Sequence, residues 1–89
     1  MTDKMKLNIV LDYCRDSGMS IDCIHGLFSR IYNVIHYRRL WLNADTPEQT
    51  ALAAWSRDDA IEDLASFVRI RKFPSYIAEY VEWLSTHTP

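Results

Sequence analysis

Residues 20–42 read SIDCIHGLFSRIYNVIHYRRLWL, with apolar side chains at spacings of three and four along most of the stretch. The apolar positions are Ile24, Leu27, Phe28, Ile31, Val34 and Ile35, and the polar positions opposite them are Asp22, His25, Ser29, Asn33 and His36. This spacing is typical of an α-helix with a wide apolar face. It predicts a long helix that begins at Ser20, ends near Leu42 and forms the centre of the fold.

The last turns of this helix depart from the pattern, because Arg38 lies on the apolar stripe while Tyr37 and Leu40 lie on the polar side. One interpretation is that the arginines complement the negative end of the helix dipole and lay their stems across aromatic rings. Arg38 is then expected to pair with an acidic residue such as Glu62 or Asp63. The other interpretation is that these turns form a partner surface.

The N-terminal segment predicts a first helix from Asp3 to Asp16. Ser17 and Gly18 follow it, and glycine commonly provides the left-handed conformation that ends a helix. A strand is the rival interpretation, since apolar and polar residues nearly alternate over residues 5–13. A lone strand would leave its backbone groups unpaired, and no second segment offers a partner, so a helix is favoured.

A third helix is predicted to start at Pro47, with Thr46 as its cap and Gln49 at the position of a capping box. Its apolar stripe does not continue into the acidic residues 58–59, and Ser56 opens a new Ser-x-x-Asp start pattern. We therefore expect a bend or break near Ser56, followed by a helical stretch from Arg57 to about residue 72.

The last helix is expected from Ser75 to about residue 85, because Pro74 disfavours helical structure in the residue before it. It carries an aromatic row, Tyr76, Tyr80 and Trp83, beside its apolar stripe.

Taken together, these helices predict that the chain is a single all-α domain covering residues 1–89. Its expected architecture is a small bundle of four to five helices with a long central second helix.

Composition points to a surface that binds protein. Apolar residues make up 48% of the chain and aromatic residues 12%, which is more than the small interior of an 89-residue domain readily hides. Tyr, Trp and Arg are also the residues that concentrate binding energy at interfaces. The predicted partner-binding residues are Tyr76, Tyr80, Trp83, Tyr37, Arg38 and Trp41.

Catalysis and metal binding are not expected. His25, His36 and His87 have no cysteine or carboxylate at a recognised ligand spacing, and two glycines in the whole chain provide no phosphate-binding loop. No catalytic residue, cofactor or small-molecule substrate is predicted.

The apolar runs are too short for a signal peptide or a membrane span, so a cytoplasmic location is expected. Cys14 and Cys23 could face each other across a helix turn. In a reducing cytosol two buried thiols are favoured over a disulfide.

The alternative function is DNA binding by a small transcriptional regulator. Residues 20–39 match a helix-turn-helix poorly, because no glycine or small residue falls at the turn and the exposed face carries few cations. The net charge of −2 also gives no general attraction to phosphate. If the ends of helices two and three meet, however, they assemble a basic patch of Arg30, Arg38, Arg39, Arg69, Arg71 and Lys72.

The favoured function is therefore a non-enzymatic protein-interaction module that binds stoichiometrically to a protein partner or to a second copy of itself. Small aromatic-rich helical proteins without catalytic motifs often act as inhibitors, adaptors or accessory regulators, including those of phages and mobile elements.

Overall fold

The computed structural model describes residues 3–87, with side chains from Leu7 onward. Within this range all regular structure is helical, which confirms the all-α class. The four helices are α1 (Asp3–Asp16), α2 (Ile21–Leu42), α3 (Pro47–Ile70) and α4 (Ser75–Thr86). None of the helices in the described residues is long and apolar enough to cross a membrane.

Two helix starts follow the capping chemistry written in the sequence. The Ser20 hydroxyl accepts a hydrogen bond from the Cys23 amide at 3.2 Å, and the Thr46 hydroxyl accepts one from the Gln49 amide at 3.1 Å. The Gln49 side chain reaches back to the Asp45 amide at 3.2 Å. The first two contacts satisfy amides that the first turn of a helix leaves without a backbone partner, and the third satisfies the amide just before the Thr46 cap.

The expected break near Ser56 is wrong, because α3 runs without interruption for 24 residues. No glycine or proline occurs between Glu48 and Ile70, and a Ser-x-x-Asp pattern cannot end a helix that nothing interrupts. The second helix is long, at 22 residues, but it is shorter than α3. The centre of the fold is therefore the pair α2 and α3, and α4 packs against both.

The core draws apolar side chains from all four helices. Its members are Val10, Cys14, Leu27, Ile31, Val34, Ala60, Leu64, Val68, Ile77, Tyr80, Val81 and Leu84. The Tyr13 ring of α1 meets the rings of Phe73 and Tyr76 edge-on, with centroids 5.7 and 6.0 Å apart. Cys14 is buried and Cys23 is half-buried, and both thiols are free.

The link between α3 and α4 is a tight C-terminal cap. Lys72 has a positive φ of 56°, and the Phe73 amide donates to the Val68 carbonyl at 3.2 Å while the Lys72 amide donates to Arg69 at 3.2 Å. This pair of bonds is the Schellman arrangement, in which glycine usually takes the left-handed position. The Phe73 ring then packs beside Phe67 at 6.1 Å and turns the chain into α4.

Candidate interaction surface

The connected ends of α2 and α3 project beyond α4. The principal extents of the molecule are 44 × 26 × 20 Å, and α3 is twice as long as the 12-residue α4. The Arg38 side chain reaches the end of α4, where its Nη1 donates to the Ser85 carbonyl at 2.6 Å. No residue from 39 to 59 is buried. We call residues 39–56 the hairpin tip.

The hairpin tip exposes large apolar side chains. Trp55 is 74% exposed and Leu52 is 63% exposed, and Leu40 and Leu42 are also open to solvent. A groove of about 410 Å³ separates the two helices here, with Tyr37 and Leu40 on one wall and Leu52 and Ala53 on the other. Trp55 follows Leu52 by almost one helical turn, so it lies next to Leu52 on α3, outside the lining of the groove.

We call this surface the tip patch and define it as Tyr37, Leu40, Leu52, Ala53 and Trp55. Its rim is polar, since Asn43, Gln49 and Ser56 also line the groove. An apolar centre with a polar rim is the usual composition of a protein-binding surface.

Arg38 and Trp41 make contacts within the fold. Both were predicted to lie beside Tyr37 on the partner surface. Arg38 is only 8% exposed and joins α2 to the end of α4. Burial, followed by the charge of Arg57, lowers the pKa of its guanidinium below the ordinary value. Trp41 is half-buried and lies under the Arg57 guanidinium, 4.3 Å from the ring centroid.

The acidic partners expected for Arg38 are engaged elsewhere. Asp63 lies 3.3 Å from the Nε of Arg30, and Glu62 accepts a hydrogen bond from the Ser66 hydroxyl at 3.4 Å. The bond from Arg38 to Ser85 links α2 to the C-terminus of α4, where a cation also complements the helix dipole.

The aromatic row of α4 does not form one exposed surface. Tyr76 is 43% exposed, whereas Tyr80 is 7% exposed and belongs to the core. Tyr80 comes three residues after Ile77 and four before Leu84, so it shares their inward side. Trp83 is half-buried and stacks between Tyr80, at 6.1 Å, and His87, at 4.9 Å.

The six arginine and lysine residues of the alternative DNA-binding surface do not form one patch. Arg30 contacts Asp63 and Phe67, and Trp41 contacts Arg57, so α2 and α3 are antiparallel. Arg38 and Arg39 consequently lie beside the first half of α3, about 20 Å along the helix from its last turn. Arg69, Arg71 and Lys72 are exposed at that turn. Arg30 lies near Arg71 there, because both guanidinium groups pack on the Phe67 ring, 4.4 and 4.9 Å from its centroid.

Leu52 and Trp55 were not among the predicted binding residues, because their spacing resembles a buried stripe. The buried residues of α3 are Ala60, Leu64 and Val68, and counting back from them by fours leads to Ser56 and Leu52. Periodicity therefore gave no sign that Leu52 is exposed, because its exposure depends on which part of α3 the rest of the bundle covers.

The chain was compared with known proteins. No protein-family model, no curated protein and no solved structure matches the chain.

Proposed function

We propose that this protein is a non-enzymatic interaction module that binds a protein partner through the tip patch. It would act stoichiometrically, as an inhibitor, adaptor or accessory regulator. The observation that carries the proposal is the exposure of Trp55 and Leu52, at 74% and 63%, beside an apolar groove on a projecting part of the fold.

Leu52 and Trp55 can contribute more to a complex than they contribute to the fold. An exposed leucine or tryptophan adds little to folding, but its burial by a partner is worth roughly 1.5–3 kcal/mol for a leucine-sized side chain. Tryptophan and tyrosine are also enriched among the residues that dominate binding. Tyr37, Leu52 and Trp55 therefore form the expected centre of the contact.

The bundle holds the tip patch in place, and among the members of the patch Tyr37 also packs against the core. The Arg57 guanidinium on Trp41 and the Arg38 bond to Ser85 tie the base of the hairpin tip to the rest of the fold. A surface held by such contacts loses less conformational freedom on binding than a flexible loop does. The partner is another protein or a second copy of this chain.

The test compares Leu52→Glu/Trp55→Glu with Ile70→Glu. Ile70 lies on the same helix and is 73% exposed, so its substitution is a matched control for added charge. Each tagged protein is expressed in the cells in which it occurs, and co-purified proteins are quantified by mass spectrometry. Light scattering of each purified protein detects self-association.

We expect the tip double variant to lose its bound protein or its dimer while Ile70→Glu retains it. Circular dichroism should show the same helix content in all three proteins. Equal binding by the tip variant and the wild-type protein would remove the tip patch as the contact surface.

A further inference from the structure

A second concave surface lies between α3 and α4, apart from the tip patch. It encloses about 440 Å³ and has an apolar floor formed by Ile61, Ala65 and Val68 of α3 and by Val81 of α4, with Phe73 at the end where the chain turns. We call it the α3–α4 groove. Pockets of this size with mostly apolar linings and a few polar groups are typical of sites for small organic ligands.

Positive charge is concentrated at the turn end of the groove. Arg69 and Lys72 both line it there. Arg69 donates to the Ser66 hydroxyl at 3.4 Å, and the ammonium of Lys72 has no acidic partner among the side chains that the structure describes. Glu82, the acidic residue of the lining, lies seven residues into α4, about 10 Å from the turn.

The backbone at Lys72 is an independent indication that its side chain matters. The left-handed conformation, with φ of 56°, is costly for a residue with a side chain and suits glycine. A lysine here therefore weakens the cap of α3 relative to glycine while placing a cation at the groove. Non-glycine residues held in this region are found often at ligand sites.

We propose that the α3–α4 groove binds an amphipathic organic anion, namely an unbranched medium-chain alkyl carboxylate. The alkyl chain lies along the apolar floor from Phe73 towards Ile61, which is about 14 Å along α3 from the end of the helix. The carboxylate pairs with Lys72 and Arg69 at the turn, away from Glu82. This binding is independent of the tip patch.

The test titrates decanoate, below the concentration at which it forms micelles, into the isotope-labelled protein and follows backbone amide shifts. Decanol and decyltrimethylammonium are the matched probes with no charge and with the opposite charge. We expect decanoate to shift the amides of groove residues at lower concentrations than either probe. Octanoate should bind about fourfold more weakly, as expected when two methylene groups are half-buried.

Lys72→Gly separates binding from folding, because the backbone at this position favours glycine. We expect Lys72→Gly to fold and to bind decanoate about fivefold more weakly, the equivalent of one exposed ion pair. Arg71→Gln, which removes a neighbouring cation outside the groove, should bind as the wild-type protein does. The proposal is overturned if decanol binds as well as decanoate, if Lys72→Gly binds normally, or if no amide of the groove shifts.

Discussion

The Nη1 atom of Arg38 lies 2.6 Å from the carbonyl oxygen of Ser85, so a single side chain joins the second-to-last helical turn of α2 to the end of α4. The two residues are 47 positions apart in sequence. Because α4 ends at this contact, the remainder of α2 and the first half of α3 project as the hairpin tip.

Replacing Arg38 with alanine should lower the free energy of unfolding by about 2–3 kcal/mol. The loss combines a hydrogen bond from a charged donor with the packing of a buried side-chain stem. Urea denaturation measures it. Glu79→Ala is the control, since this exposed residue of α4 should change stability by no more than about 0.5 kcal/mol. Similar values for the two variants would show that the link to Ser85 does not hold α4.

Lys72→Gly should raise the free energy of unfolding by about 1 kcal/mol, because glycine adopts the left-handed conformation without steric cost. Gly18 has the same conformation, with φ of 69°, and a Cβ there would meet no atom within 4 Å. Gly18→Ala should therefore lower stability by about 1 kcal/mol through the backbone alone. Thermal or urea denaturation should show that Lys72→Gly raises the free energy of unfolding and that Gly18→Ala lowers it. Changes of the same sign in the two variants would contradict the cap geometry.

Leu64→Ala should destabilise the protein by about 3 kcal/mol, because Leu64 is fully buried and its truncation leaves a cavity. Leu52 is on the same helix and exposed, so Leu52→Ala should cost no more than about 0.5 kcal/mol. Urea denaturation of the two variants and the wild-type protein measures both costs. A large cost at Leu52 would mean that the tip patch is needed for folding.

The thiol of Cys14 should make stability fall at alkaline pH. Burial, and then neighbouring Cys23, raises the pKa of Cys14 above its ordinary value of 9.0. The folded protein therefore holds this proton more tightly than the unfolded chain. The stabilisation is complete below about pH 9 and is lost as the pH rises through the raised pKa of the folded state.

Urea denaturation of the wild-type protein and Cys14→Ala, each at about pH 8 and about pH 10, isolates the contribution of this thiol. The decline in stability with pH should be smaller in Cys14→Ala. Cys23→Ala is the control for a half-buried thiol and should retain most of the decline. An unchanged pH dependence in Cys14→Ala would show that its proton is not held by the fold.

Helix bounds and caps that depend on neighbouring residues could be predicted from the sequence. Contacts between helices could not. The bounds of α1 and the caps at Ser20 and Thr46 depend on neighbouring residues, and the prediction agreed with the structure there. The supposed break at Ser56 was wrong because a start pattern does not end a helix that contains no glycine or proline.

The predicted binding surface depended on tertiary contacts that no local pattern contains. Tyr80 was expected on an exposed row, but its burial depends on which side of α4 faces the bundle. Arg38 was expected on the partner surface, but it is buried and donates a hydrogen bond to the Ser85 carbonyl at the end of another helix. Whether the ends of α2 and α3 meet likewise depends on their antiparallel packing.

The most direct test of the tip patch is site-specific photo-crosslinking in the cells in which the protein occurs. A benzophenone amino acid replaces Trp55 in one variant and Ile70 in the other, and the products are resolved by mass after irradiation. We predict one adduct of defined mass from position 55, corresponding to a partner or a second copy, and none from position 70. The same adduct from both positions, or none from position 55, would contradict the proposal that this protein binds through its hairpin tip.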